Sequence, residues 1–473
     1  MTITTTPPPA PARREGRVTG RLRIRTMPGR IRALAALAAL AVLVVLLVTT
    51  LTVRNARDGL RVIGHDAGPQ VVATGDLYFA LSDMDAQLAD ALLIGGDAGL
   101  AGRRAAALKV YEQRRSEANG ALLQGSRLAG TDPTEQRTAQ EMLDALGRYE
   151  RLAGQALLTD EQSRHAAGPP PAAVTALYRQ ATDLMKLDIL PKAYNLTLDN
   201  GTKVRRTYEA KRSAVLRGRV WVALTGLLLV VVLVGVQIYF AARFRRLVNP
   251  FLALATVGAF VLVVVSVALL SSEAGRLRTA KEDGFDSVLA LSRARAISNS
   301  AHADESRYLL DPGRADTYEQ VYLDKSEAIL YVPAGNLDGY YSLLDEKIGG
   351  SDFLGFYGTE AHHITLPGQQ AALRKVLAGY QKVQHDDRAI RLVATSGDRR
   401  AALTTKLGGG TGDFDAYDQA LVALKDLHGR AFDRAIASGD HGLRGWNVIL
   451  PGAAIVLIIL ILAGVRPRLS EYR

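Results

Sequence analysis

The chain has 473 residues, 48% of them hydrophobic, a formal net charge of +11 and no cysteine. The missing cysteine excludes disulfides, cysteine-ligated zinc, iron–sulfur clusters and thiol nucleophiles. A mean hydropathy of only +0.06 beside so many apolar residues points to membrane segments joined to large polar domains.

Residues 1–32 form a basic tail, expected to be disordered, with Arg13, Arg14, Arg17, Arg21, Arg23, Arg25, Arg30 and Arg32 against Glu15 alone. The uncharged run 33–53 is long enough to cross a bilayer. Its apolar core is too long for a signal peptide and TTLTVRNARD offers no small-x-small cleavage site, so it reads as an anchor.

The polar stretch 54–219 reads as a helical bundle. In LYFALSDMDAQLADALL (77–93), Leu77, Leu81, Met84, Leu88 and Ala91 alternate by four and three, a coiled-coil-like seam. Asp83 and Asp85 lie two apart, which on a helix points them about 200° apart. They cannot chelate one ion together. Asp76, Asp83, Asp90 and Asp97 recur every seven residues, and the first three read as a solvated or interhelical charge stripe flanking the seam, the acid marking the outer edge of a bundle helix.

TDPTEQ (131–136) is a helix start, with Asp132 as N-cap, Pro133 at N1 and Glu135 three past the cap. Met142, Leu146, Tyr149, Ala153 and Leu157 follow on one face. After the break GPPP (168–171), Val174, Leu177, Ala181 and Leu184 resume the period. Pro69 and Pro191 are expected to break or kink the outer helices. Strand signals are nearly absent, so four long helices per domain is the economical fold.

Further spans are expected at 220–242, 250–272 and 445–465, joined by a short basic loop 243–249 (RFRRLVN) and closed by a tail 466–473. None of the spans carries Asp, Glu, Lys, Arg or His, unlike most carriers and proton-coupled pumps. The tail 1–32, the loop and the tail 466–473 carry net charges of +7, +3 and +2, which places them and both termini in the cytoplasm. GTKVRRTYEAKRSAVLRGR (201–219), with seven Lys/Arg, pulls the other way, but the first span usually dominates. The basic balance is thus a topology signal and not a nucleic-acid footprint.

The second polar domain, 273–444, repeats the first. DALLIGGDAG (90–99) aligns with RYLLDPGRAD (307–316), LGRYERL (146–152) with LAGYQKV (377–383), and YRQATDLMK (178–186) with YDQALVALK (417–425). Trp221 and Trp446 each mark the outer end of a span. A growing offset implies an insertion near 331–367. The helix LSRARAISNSAHADESRYLL (291–310) has a weak seam and packs closely through Ala and Ser, or faces a partner.

The insertion gathers Tyr331, Tyr340, Tyr341, Phe353, Phe356 and Tyr357 in a chain that is only 6% aromatic. It serves either as a docking surface or lid, or folds over its own bundle. Tyr340, Tyr341, Phe353, Phe356 and Tyr357, with Arg243, Arg245 and Arg246 of the loop, are the candidate partner-binding residues. Glu360, His362 and His363 are adjacent on a loop and are not expected to converge on a metal. GGGTGD (408–413) follows no strand and reads as a linker. No catalytic, cofactor or metal site is expected.

The layout and GHDAGPQVVATGDLYFALSDMDAQLADALL (64–93) resemble the GlnX family of actinobacterial four-span membrane proteins. That resemblance implies a relay between an extracytoplasmic amino-acid-binding lipoprotein, GlnH, which senses aspartate, glutamate or glutamine, and a cytoplasmic Ser/Thr kinase, protein kinase G. It assigns no individual residue.

The expectation is therefore an all-α membrane protein with four transmembrane helices and two duplicated extracytoplasmic four-helix-bundle-like sensor domains. It would act as a non-enzymatic signal relay with lipid, a solute-binding lipoprotein and a kinase as partners, with homo-oligomerisation left open. The bundles are expected to pack side by side, so that one chain supplies what a homodimeric receptor makes from two. The alternative is an FtsX-like permease-type subunit that transmits force from an ABC-type ATPase to an envelope partner.

Overall fold

A computed structural model of the protein describes residues 27–128, 133–244 and 249–470. The helices are α1 (Met27–Arg61), α2 (Gly68–Ile94), α3 (Ala101–Leu128), α4 (Pro133–Ser163), α5 (Ala172–Leu184) and α6 (Leu190–Phe244). After the basic loop come α7 (Pro250–Arg278), α8 (Asp286–Leu310), α9 (Ala315–Ile329), α10 (Leu337–Lys347), α11 (Gly355–His362) and α12 (Gln369–Thr395). The chain ends in α13 (Arg399–Thr405), α14 (Thr411–Leu443) and α15 (Trp446–Ser470). Among the described residues no strand forms; an isolated antiparallel bridge joins Tyr331 to Leu354.

Short polar side chains start the helices that follow loops. Asn336 accepts from the Gly339 N–H ahead of α10, and Asp398 from Ala401 ahead of α13, each satisfying a donor that the first turn leaves free. Pro133 opens α4 as expected; its proposed cap Asp132 lies outside the described residues.

Four short π-helical turns interrupt the long helices: Val62–Ala67, Met185–Ile189, Thr279–Phe285 and Lys406–Gly410. In each, the following amide reaches back five residues: Gly68 to Ile63, Leu190 to Met185, Asp286 to Lys281 and Thr411 to Lys406. The first pair precedes Pro69 and Pro191, which have no N–H to give to the ladder. The second pair stands at the matching places of the duplicate with no proline. Proline therefore does not create the bulge; the repeat architecture keeps it. GGGTGD is not a linker either, since it runs from this last π turn directly into α14.

The chain forms two compact units. One comprises 1–51, 218–268 and 445–473, and its described part is helical. Its core gathers Ala38, Val42, Leu229, Leu233, Ala255, Ala259, Ala454 and Leu457. A Cβ on Gly226 would lie 2.4 Å from a Val263 methyl, so α6 and α7 approach too closely there for a larger residue. Leu40, Leu47, Leu227, Val257 and Ile459 are exposed on its outside. Among the described residues four helices are long and apolar enough to cross a membrane, and an apolar exterior of this kind is what lipid requires.

The other unit, 52–217 with 269–444, holds both duplicated domains. Its largest core draws on both: Leu81, Met84 and Leu88 of α2, Tyr149 of α4 and Ala181 of α5 meet Leu309 and Leu310 of α8, Ile390 of α12 and Leu403 of α13. The two first helices, α2 and α8, pack along each other. α8 does so through Ser, Ala and Asn residues that are buried almost without exception from Ser298 to Leu310.

The duplication is visible in element order, π turn for π turn. That order also shows where the sequence match slips. Tyr178 lies in α5, before its π turn, whereas Tyr417 lies in α14, after the corresponding one, so YRQATDLMK and YDQALVALK are not structural equivalents. In the second repeat two helices, α10 and α11, stand between α9 and α12.

Candidate functional site

The acidic residues of α2 hold the two repeats together. Asp85 is fully buried. Its Oδ1 accepts from Tyr149 Oη at 2.9 Å, and its Oδ2 from Thr182 Oγ1 at 2.7 Å. Arg307 of the second repeat donates to the same Oδ2 from Nη2 at 2.6 Å and Nε at 3.2 Å. The other end of that guanidinium, Nη1, donates to Asp304 one helical turn earlier.

Asp304 receives Lys325 of α9 and Lys186 of the first repeat, the latter at 3.4 Å. The Lys325 ammonium has three acceptors for its three protons: Asp304, Ser300 Oγ at 2.7 Å and the Ser300 carbonyl at 3.1 Å. The result is a buried chain of charge, Asp85–Arg307–Asp304–Lys325, in which each ion is paired and hydrogen-bonded, as burial demands.

Its electrostatics follow. Burial opposes ionisation of Asp304, but Lys325, Arg307 and Lys186 outweigh it and hold the carboxyl well below the usual range. Burial lowers Lys325 to about 8, with Asp304 pulling the other way. Burial, then the Asp85 charge, pushes the Tyr149 and Tyr178 hydroxyls far up, so both remain donors.

The heptad stripe is a second set of links. Asp90 pairs with Lys406 at 2.9 Å and accepts from Ser306; Asp97 meets Arg400 at 2.7 Å; the exposed Asp76 stands 3.9 Å from Lys425. All three cations belong to the second repeat. Asp83 turns instead to Arg114 of its own repeat, at 2.6 Å. The D-x-D thus diverges, as helical geometry requires, but Asp85 does not lie on an outer edge: it is the centre of the interface. Arg179 adds a two-pronged pair to Asp311, and Arg314 one to Asp183.

A cleft of about 340 Å³ opens beside this network between α2, α3, α8 and α14. Its ionic lining is largely engaged: Arg114 with Asp83 and Glu117, Arg103 with the Leu407 carbonyl, Asp418 with Arg295. This arrangement can hold or release two packed halves. It presents no activated nucleophile beside a base.

Two histidines anchor the repeats. His165 sets Nε2 2.6 Å from Asp160 and Nδ1 2.7 Å from the Ala166 carbonyl. His428 sets Nε2 2.6 Å from Glu360 and Nδ1 2.6 Å from the Asp283 carbonyl. Both partners in each case are acceptors, so both ring nitrogens donate and the ring is an imidazolium. Asp160 raises the His165 pKa against burial; at His428 burial lowers it and Glu360 more than compensates. Glu360 also accepts from Gln369 Nε2 at 2.8 Å, so it belongs to this buried junction. His362 turns to the Gly358 carbonyl and His363 to Asp283.

The aromatic insertion folds over its own bundle. Tyr340, Tyr341, Phe353 and Tyr357 are buried, and Phe356 is half-buried against the same core. Tyr340 Oη lies 2.8 Å from Tyr380 Oη, Tyr357 meets Tyr417, and Tyr341 donates to Asp387. Tyr340, Tyr341, Phe353 and Tyr357 are therefore interior as folded, while Tyr331 and Leu354 at the rim are exposed. Arg243 lies in the last turn of α6, while Arg245 and Arg246 lie outside the described residues.

Sequence reasoning missed Arg307, Asp304, Lys325, Lys186, Thr182 and Lys406. One signal was present: aligning DALLIGGDAG with RYLLDPGRAD sets Arg307 opposite Asp90, a charge reversal at equivalent positions.

The fold defines the class: an all-α, multi-pass membrane protein with an internally duplicated helical polar unit. Residues 59–209, from the end of α1 into α6, match the family model of an actinobacterial sensor domain. This match supports a sensing or signalling role and covers the first repeat. No curated protein and no solved structure matches the chain.

Proposed function

We propose that the protein is a non-enzymatic transmembrane relay. The duplicated unit would lie outside the cytoplasm and both termini inside, as the arginine asymmetry favours. It would couple an extracytoplasmic amino-acid-binding lipoprotein, sensing glutamate, aspartate or glutamine, to a cytoplasmic Ser/Thr kinase, as the resemblance to the GlnX family implies. The observation that carries this reading is the shared core of the two repeats, closed by Asp85–Arg307–Asp304–Lys325, in a chain whose first repeat matches a sensor-domain family.

A partner that displaces one repeat must shift the other with it, because separating the ions would leave charges buried and unpaired. α1, α6 and α7 each run without a break from an apolar stretch into polar sequence. A movement of the polar segments can therefore travel along a continuous hydrogen-bonded helix.

The test is deletion of the gene in its host, followed by phosphorylation of the kinase's substrate when glutamate is added outside. Loss of the response, restored by the wild-type chain, supports the relay. An unchanged response, or co-purification of the intact membrane protein with an ATPase in place of the kinase and lipoprotein, overturns it and favours the permease-type alternative.

A further inference from the structure

The basic stretch 201–219, which runs against the charge asymmetry of the spans, is part of a wider band. Eight residues adjoin each membrane-capable run on its polar side: 54–61, 212–219, 273–280 and 437–444. Together they hold nine arginines against three acids, Asp58, Glu273 and Asp440. The rest of the two polar stretches, 54–219 and 273–444, holds 35 Lys and Arg against 42 Asp and Glu. The polar sequence is thus acidic except where it adjoins the spans.

α1, α6 and α7 each pass from their apolar stretch into this band without a break, so eight residues amount to about 12 Å of helix. The headgroup layer on one side of a bilayer is about 5–8 Å deep, and arginine extends its charge along the helix toward it. The helices also converge at this level. A Cβ on Gly59 of α1 would lie 3.2 Å from Lys211 Cβ of α6 and 3.5 Å from a Leu277 methyl of α7. Arg57 of α1 donates to the Leu443 carbonyl at the end of α14.

The acids of the band leave most of its charge unbalanced. Asp58 lies 3.2 Å from Lys211 and Asp440 3.1 Å from His65, while the fully buried Glu273 takes Arg276. Arg54, Arg217 and Arg444 are exposed and form no ion pair among the described residues. Arg217 uses its Nε on the Ser213 carbonyl of its own helix, at 3.4 Å.

We propose that this band binds the phosphates of anionic phospholipids at the membrane surface. A guanidinium matches a pair of phosphate oxygens, and an anionic leaflet attracts cations that stand just outside the hydrocarbon. Confinement of the excess charge to a belt of about 12 Å suits a planar layer of anions. A soluble anionic partner would meet the acidic remainder of the polar unit as well. Lipid binding also gives the cations of 201–219 a role other than topology. The inference does not depend on the relay, or on which side of the membrane the polar unit faces.

The experiment is native mass spectrometry of the intact protein released from detergent containing equal amounts of phosphatidylglycerol and phosphatidylcholine of the same chain length. Retention of phosphatidylglycerol over phosphatidylcholine is expected. Arg54→Gln, Arg217→Gln and Arg444→Gln, combined in one chain at exposed positions, should lower the retained phosphatidylglycerol about twofold or more. The same loss of charge far from the spans, Arg148→Gln with Arg151→Gln and Arg374→Gln, should leave it unchanged. Unfolding midpoints check that both triple variants are folded. Equal retention of the two lipids by the wild-type chain, undiminished retention in the folded band variant, or an equal fall in the control variant overturns the proposal.

Discussion

The two repeats build the same helix in opposite ways. α2 brings leucine, methionine and alanine to the shared core, with acids set among them. α8, its counterpart, buries serines, alanines, an asparagine and three charged residues, Asp304, Glu305 and Arg307. A helix that looks weakly amphipathic can be among the most buried in a protein when a neighbour supplies opposite charge at close range. Small residues let the backbones approach, and approach is what makes the ion pairs short.

The largest test of this contrast is Arg307→Ala, which leaves the buried Asp85 without its cation, while Asp304 keeps Lys325 and Lys186. It should cost about 3–5 kcal/mol, the usual penalty for breaking a buried pair, read as a lower unfolding midpoint of the intact protein in detergent. Asp85→Leu combined with Arg307→Met should cost less than the sum of the single changes. A simple sum would show that the two groups do not act as a pair. Leu88→Ala in α2 follows at about 3 kcal/mol, within the range for a leucine cavity.

Removing the Ser306 hydroxyl in α8 with Ser306→Ala should cost about 1 kcal/mol, since Asp90 keeps Lys406. If α8 were the softer side, these two costs would converge. Asp76→Ala removes a wide, exposed pair and should change stability by about 0.5 kcal/mol or less.

Both repeats should also share one pH signature. The folded pKa values of His165 and His428 lie above 6.5, so folding takes up protons. Their stabilisation is complete below about pH 6.5 and is lost as pH rises through the folded values. His165→Gln and His428→Gln should each flatten part of that alkaline slope. A slope unchanged in both variants would remove the imidazolium assignment.

Much of the architecture was legible in the residues. Uncharged runs marked the membrane-capable helices, the four-three seam of α2 is buried as read, and the divergence of Asp83 and Asp85 follows from helical pitch alone. Where periodicity spoke about environment it was less secure. Val174 and Ala181 are buried as expected, but the face turns so that Tyr178, Thr182 and Met185 complete it while Leu177 and Leu184 sit at its edge. The reason is Asp85, which takes the Tyr178 and Thr182 hydroxyls and lies 97 positions from Thr182 along the chain. The aromatic insertion was ambiguous for the same reason, since a cluster of rings serves a core or a docking face equally well until its hydroxyls are seen to have partners.

Composition, charge asymmetry and period therefore determined that the chain is all-helical, duplicated and equipped with four membrane-capable helices, because these properties are local and survive in any window of sequence. Only the tertiary structure decided that the two repeats share one core and that Asp76, Asp85 and Asp90 of α2 face cations of the second repeat while Asp83 does not. A charge carries no mark of its partner in the chain; burial next to a particular opposite charge is what gives it meaning.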